Sequence, residues 1–282
     1  MKTSVYYKTK RISLNMLIHL FLIAVAATCI FPLLWMVSSS LKTQGEIFKD
    51  TSLIPRVFHF ENYYLAWMEG GFGRFFLNSI FYTASVVIGI VIVASLAAYA
   101  FSRLNFPGKN ILFFMFMAAM MIPIPGSFVP LYILLNKLHL RNTALGYILA
   151  MVNVGLSTSI FLLKTFFDKM PKELEDAARI DGCSKLGIWW NVALPLAKPV
   201  LAVVVVFNAL TVWNEYILAL IIFDSRALMP LQVALMTFQG EFITRYPLLM
   251  AGLTITALPI IIVYLLMQKY IVKGVTAGAV VG

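Results

Sequence analysis

Charge is what this sequence has least of. Only 12% of its 282 residues are Asp, Glu, Lys or Arg, against 61% that are hydrophobic, and the mean hydropathy is +0.89. An ordinary soluble core does not use that much apolar surface. Cysteine is nearly absent too. Cys29 and Cys183 stand alone, with no metal-ligand spacing and no bond expected between them. There is no G-x-x-x-x-G-K-[ST] loop to hold a nucleotide's phosphates, and "FPGKN" lacks the glycine at the required offset. The absence of H-E-x-x-H, G-x-S-x-G and paired intramembrane aspartates argues against a hydrolase. Repeats of about 20–50 residues, low-complexity blocks and a separate soluble domain are missing as well.

What the chain does have is long apolar runs. Those at about 14–41, 75–101, 111–135, 143–167, 199–223 and 247–272 each carry about 20 or more mostly apolar residues, the length a bilayer core requires. The pattern predicts an all-α, polytopic membrane protein with six transmembrane helices, forming a single transmembrane domain over 1–282. The first run is too long for the apolar region of a signal peptide and lacks a small-residue cleavage site, so it is read as a retained span. The third contains "MIPIPGSFVP". Pro123, Pro125 and Pro130 remove backbone donors and must break or kink the helix. Irregular backbone at that depth is tolerated only against protein or a wet cavity, so this span is expected to be internal, either as a hinge or as a packed kink.

The net charge of +10 is placed as membrane topology requires. Lys2, Lys8, Lys10 and Arg11 in the N-terminal tail have no acid among them. Arg103 and Lys109 follow the second span, and Lys269 and Lys273 lie near the C-terminal end. The segment from Lys42 to Arg74, by contrast, balances four basic with four acidic residues. Both termini and the 168–198 connection are therefore expected in the cytoplasm of a multi-pass protein of the cell membrane. Orientation accounts for the excess charge, so no nucleic-acid partner is expected. The external 42–74 segment is rich in aromatics, which suits a stretch lying along the lipid surface.

One connection is unlike the rest: residues 168–198, "DKMPKELEDAARIDGCSKLGIWWNVALPLAK". Pro171 suits a first helical position, and Glu173, Glu175 and Asp176 then lie near the positive helix end. Gly182 fits a stop, and Ser184 can cap a second short helix carrying Trp189 and Trp190. Leu174, Ala177 and Ala178 make a narrow stripe that lets another surface approach closely. Glu175 and Arg179, spaced i, i+4, can pair with each other for about 0.3–0.5 kcal/mol. Plain solvation explains the charges but not the short, capped, alanine-striped helix. A docking surface explains both.

"DAARIDG", followed at the right distance by "LP", resembles the EAA loop of ATP-binding-cassette importer permeases. The longer "MPKELEDAARIDGCS…LPLAKP" resembles the carbohydrate-uptake branch, the maltose-type permease subunit with six spans. The likeness continues through "SSLKTQGEIF", "NSI", "AYAFSRLNFPGK", "PLYILLNKLHLRNT", "WNEY" and "QKYIVKGVTAGAV", in order and over nearly the full length. The resemblance implies a subunit with no covalent chemistry, no metal and no cofactor of its own. ATP and Mg would be bound by two partner ATPase subunits. A second, homologous permease would share the translocation path, and an extracytoplasmic solute-binding protein would deliver the sugar. The helix-turn-helix between spans four and five would couple to the ATPase through Glu175, Asp176, Ala177, Ala178, Asp181 and Gly182. Asp176 stands where the family carries Glu and is one methylene shorter, which leaves Glu175 as an alternative partner. Val281 stands where members often carry Lys.

For the sugar path, Asn208, Thr211 and Glu215 are spaced to share one face of span five, with Trp213 and Asn214 beside them and Asn153 on span four. Intramembrane polar groups are costly and face a partner or water. Hydrogen bonding between helices is the alternative use of Asn and Thr. Trp213 and Tyr216 fit either stacking on a sugar or anchoring at the interface. The external segment 224–246 resembles the loop that meets the binding protein, with Gln239, Gly240, Glu241 and Phe242 at its tip. The competing class is an ion-coupled secondary transporter, which normally needs intramembrane carboxylates or broken helices in paired repeats.

Overall fold

The computed structural model describes residues 2–121, 124–240 and 244–279, with side chains over 15–121, 126–240 and 244–269. Among them only helices and turns form, apart from one isolated bridge between Gln239 and Thr244. The chain divides into two compact units.

The first unit comprises residues 1–70 and 237–255. Helix α1 (Lys2–Ser40) is followed by α2 (Gln44–Lys49) and α3 (Glu61–Glu69). Residues 15–34 of α1 are exposed throughout, although the stretch is apolar enough to cross a bilayer. At its end Ser38, Ser39, Ser40 and Lys42 are buried. The Lys42 ammonium donates to the carbonyls of Asp50 (2.9 Å) and Ser52 (2.5 Å) and lies over the Trp35 ring. Asn62 on α3 donates to the carbonyls of Ser40 and Lys42. The "SSLK" stretch is therefore a polar knot that turns the chain out of α1. Helix α2 then starts with a complete capping box between Thr43 and Glu46.

The second unit comprises residues 71–236 and 256–282. Helix α4 (Phe72–Arg103) leaves a left-handed Gly71 and buries a stripe that includes Phe75, Ser79, Tyr82, Val86, Ile90, Ala94 and Ala98. These spacings of three and four place one continuous face against α7. Between α4 and α7, α5 (Lys109–Ala119) and α6 (Phe128–Lys137) are two short apolar helices joined in part by a tight turn over Ile124–Ser127. The proline-rich run thus breaks the helix, as its missing donors require. The expectation of an internal span is not met within this chain. Of α5 and α6, only Leu135 is buried.

Helix α7 (Ala144–Lys169) begins at a Thr143 cap and buries Tyr147, Met151, Gly155, Ser159, Leu163 and Phe167. Next come α8 (Glu173–Ile180), α9 (Lys185–Ile188), a wide turn at Trp189–Ala193, and α10 (Leu194–Leu196). Helix α11 (Lys198–Asn214) then departs at 79° from the segment Lys185–Leu196. Helix α11 has 17 residues and stops at Glu215, so the fifth apolar run is not one continuous helix. Helix α12 (Ile217–Ile222) continues it, followed by α13 (Leu231–Ala234) and α14 (Tyr246–Ala279), whose later residues belong to this unit. Among the described residues, four helices are long and apolar enough to cross a membrane, or five if the bent pair counts as one span.

Close approach of α4, α7 and α11 centres on Gly155. A Cβ there would lie 2.0 Å from Asn208 Oδ1 and 2.6 Å from Ile90 Cδ1. Asn208 Nδ2 donates to Ser159 Oγ (3.0 Å), which in turn donates to the Gly155 carbonyl (2.7 Å).

Candidate functional site

Local sequence builds the 168–198 connection. Three acids occupy the first turn of α8, where the helix dipole favours them. The helix ends in a full Schellman motif. Gly182, at φ 84, donates to Arg179 O (3.1 Å), and Cys183 donates to Ala178 O (3.0 Å). Ser184 then caps α9 by accepting from Gly187 N (3.2 Å). Pro171 lies outside the helix rather than at its first position, because Lys172 is the cap and Glu173 the first helical residue.

Burial sorts the predicted coupling residues. Glu175 and Ala178 are the side chains that α8 buries. Asp176, Ala177, Asp181 and Gly182 are exposed, as are Leu174 and Ile180, the latter by 87%. The expected Leu174–Ala177–Ala178 stripe is therefore split. Ala178 turns inward, and Leu174, Ala177 and Ile180, spaced by three, form the outer edge. Leu186 and Trp190 extend the exposed apolar surface onto the next turns.

The expected Glu175–Arg179 pair does not form. Arg179 pairs instead with Asp176 at 2.8 Å, and both are mostly exposed. Glu175 faces inward and pairs with Arg103, on the last turn of α4, at 2.7 Å. Each of those side chains is only 7% exposed. Arg103 also donates to the Met170 carbonyl, and Tyr99 lines the same cleft as Glu175. Nearby, Ser102 Oγ donates to Asp168 Oδ1 (2.7 Å), and Lys164 pairs with the same carboxylate. Sequence reasoning used Arg103 for orientation and missed its partner. A distant i, j contact leaves no local periodicity to read.

The predicted path residues are dispersed. Asn208 is buried between α7 and α11, whereas Thr211 is exposed and donates back to Phe207 O. Glu215 lies beyond the end of α11, so the three do not share one helical face. Its carboxylate accepts from Leu218 N (2.5 Å), Ala219 N (3.2 Å) and Tyr147 Oη (3.2 Å), so from one position before the N-cap Tyr216 it holds the first turn of α12. Trp213 is buried, with its indole N–H on Thr256 O at 3.0 Å, so it neither anchors at an interface nor offers a free ring. Asn153 and Asn214 are exposed, as is Tyr216. No cluster of His, Cys, Asp and Glu able to hold a metal exists among the described residues.

In the 224–246 segment, the "NSI" stretch is a brace. Asn78 donates to the carbonyls of Ala227 and Met229, and Ser79 accepts from Leu231 N. Asn142, at φ 55, accepts from Asp224 N and Ser225 N. In the first unit, Gln239 and Thr244 form the bridge at the foot of the tip, and Gln239 and Gly240 are exposed. The Gln44 amide grips this foot from both sides. It donates to Thr244 O (2.8 Å) and accepts from Tyr246 N (3.0 Å). Glu241 and Phe242 lie outside the described residues.

Long apolar helices, with a short, capped, charged helix pair in one connection, define the class of polytopic membrane proteins. The chain belongs to the family of binding-protein-dependent transport system inner membrane components, whose profile matches residues 89–277. It is 37% identical to the probable ABC transporter permease protein YurM of Bacillus subtilis (strain 168), over 94% of this chain and 87% of that one. It is 31% identical to the diacetylchitobiose uptake system permease protein NgcG of Streptomyces coelicolor, over 92% and 87%. The arabinooligosaccharides transport system permease protein AraQ of Halalkalibacterium halodurans is also 31% identical, over 92% and 93%. The fold matches a chain in the crystal structure of a bacterial ABC transporter that imports the acidic polysaccharide alginate. The TM-score is 0.81 at 24% identity, covering 91% of this chain and 96% of that one.

Proposed function

We propose that the chain is the permease subunit of an ATP-driven, binding-protein-dependent importer of oligosaccharides or glycosides. Its 282 residues act as one transmembrane domain with six crossings and both termini in the cytoplasm. The broken α5–α6 segment and α11 with α12 supply the two crossings that no single long helix makes. A second permease shares the path, two ATPase subunits bind ATP and Mg below, and a solute-binding protein docks outside.

The observation that carries this reading is the outer edge of α8. Leu174, Ala177 and Ile180 face away from the chain beside the exposed Asp176, and Gly182 ends the helix cleanly. Such an edge fits a groove on a partner. Since Glu175 is engaged inside the chain, Asp176 is the acid left to meet a basic ATPase residue. The sparse burial of α5 and α6 supports a companion permease, because a proline-broken segment at membrane depth needs protein cover. The sugar relatives support the substrate class. On the path, Thr211, Asn214 and Asn153 present polar groups outward, while Asn208 and Trp213 shape the helices behind them. Outside, Gln239 to Phe242 contact the binding protein. Glu215 has two backbone N–H groups and a tyrosine on its carboxylate, an arrangement that suits a fixed cap better than an ion carrier.

The test is purification of the intact assembly with its binding protein, followed by a sugar screen for stimulated ATP turnover. An oligosaccharide that raises turnover only with the binding protein is expected. Transport driven by an ion gradient, with no ATPase recovered, would overturn the reading.

A further inference from the structure

We propose that the buried Arg103–Glu175 pair is the joint through which displacement of α8 reaches α4. The proposal rests on the coupling reading above and assigns positioning residues to it. Among the side chains of α8, only Glu175 and Ala178 are buried, and the methyl group of Ala178 offers little grip. The other charged residues of α8 (Glu173, Asp176, Arg179) are exposed, as is Asp181 beyond it. Side-chain force from α8 into the membrane helices therefore has one polar route, Glu175 to Arg103.

The receiving end is built for that task. Arg103 sits on the last turn of α4, where a cation complements the helix dipole. Its guanidinium also holds the Met170 carbonyl, the residue that follows α7. Tyr99, one turn earlier, lines the cleft beside the pair and meets the Phe167 ring of α7 edge-on at 5.8 Å. One carboxylate thus addresses the ends of both long helices. Helix α4 has 32 residues, about 48 Å at 1.5 Å per residue, so a push at its foot is felt along its length.

The pair is poorly explained as glue. A buried ion pair is often no more stabilising than apolar residues of the same volume. Neither Arg103 Nε nor Glu175 Oε1 has a well-aligned hydrogen bond, although they lie 2.7 Å apart. What the charges add is a fixed direction of attachment. A cleft of about 270 Å³ opens beside the pair, lined by Leu104, Asn105, Arg179, Lys185 and Ile188 together with the pair and Tyr99. Helix α8 therefore has room to tilt about this joint.

The experiment compares Glu175→Gln, Arg103→Lys and the exchange Arg103→Glu with Glu175→Arg in the intact importer reconstituted in liposomes. Sugar delivered per ATP hydrolysed is measured alongside ATPase recovered on the purified complex. In the single variants the ratio should fall roughly five- to tenfold while ATPase remains bound, and the exchange should restore at least half of it. A merely structural pair would lower yield and leave the ratio unchanged, which would overturn the proposal. So would a ratio that falls but is not restored by the exchange. Should one variant fail to assemble, the other single variant decides. Loss of the coupling reading itself shows separately, as a wild-type chain that captures no ATPase.

Discussion

At the scale of single residues, the molecule depends on a few side chains that sit where charge or bulk has no easy place. Lys42 is 1% exposed and holds two backbone carbonyls in place of a carboxylate. Lys42→Met should strand both acceptors and cost about 1–3 kcal/mol, read as a lower melting temperature and faster proteolysis at residues 50–54. An unchanged protease pattern would mean that the knot is held by Asn62 alone. Gly155 is constrained in the opposite way, by lack of space. A methyl group there collides with Asn208 and Ile90, so Gly155→Ala should destabilise the purified protein by about 1–3 kcal/mol. Removing the Asn208 amide together with that change, as in Gly155→Ala with Asn208→Ala, should recover part of the loss. If the double variant melts below the single one, the collision is not the cause.

At the scale of elements, caps and breaks decide where helices begin and end. Gly182 occupies left-handed backbone, so Gly182→Ala should cost roughly 1–2 kcal/mol and lengthen α8 past its stop. Gly182→Asn should be milder, because Asn enters that region more readily. The readout is ATPase stimulation by the binding protein, and equal loss in both variants would refute the backbone argument. Helix α2 offers a pH test. Hydrogen bonds from the Thr43 backbone and then its side chain hold the Glu46 carboxyl below its ordinary value of 4.5. A lowered carboxyl pKa means that the cap is fully present above pH 4.5 and is lost as pH falls through the lowered value. The protection of these amides relative to their intrinsic exchange rate at each pH, over residues 43–50, should therefore hold at about pH 5–6 and fall only below about 4.5. A loss of protection already at about pH 6 would contradict it. The Thr43 cap was not read from the sequence, but other local devices were legible there. Gly182, Ser184 and the prolines of "MIPIPGSFVP" act on neighbouring backbone, so their spacing states their effect. The facing of side chains was not legible. Glu175 was paired with Arg179 because helical spacing offered a near partner, but the side of α8 that is buried decided otherwise. Asn208 and Thr211 parted for the same reason, since which face of α11 meets α7 is set by packing. Trp213, which fits a sugar platform or an interface anchor by sequence, satisfies Thr256 O, and Glu215, expected to face water or a partner, satisfies the start of α12.

At the scale of the whole molecule, the proposed topology places the 168–198 connection inside the cell. Its one cysteine supplies a natural probe, since the only other one, Cys29, lies in α1. With Cys29→Ser in place, an impermeant maleimide should label Cys183 in inverted vesicles and not in right-side-out ones. The reverse pattern would invert the proposed orientation. The gap between α5 and α6 reaches further, into how a cell handles the chain. Prolines 123, 125 and 130 deny hydrogen bonds to the carbonyls four positions earlier, and little of the surrounding segment is covered by this chain. Left in lipid without the proposed companion permease, such a subunit would keep those carbonyls unsatisfied, at a high cost in free energy. Its synthesis is then expected to keep pace with that of the proposed companion. Pulse-labelled chain made alone should disappear several times faster than chain made with its mate, and equal lifetimes would show that the lipid tolerates the break.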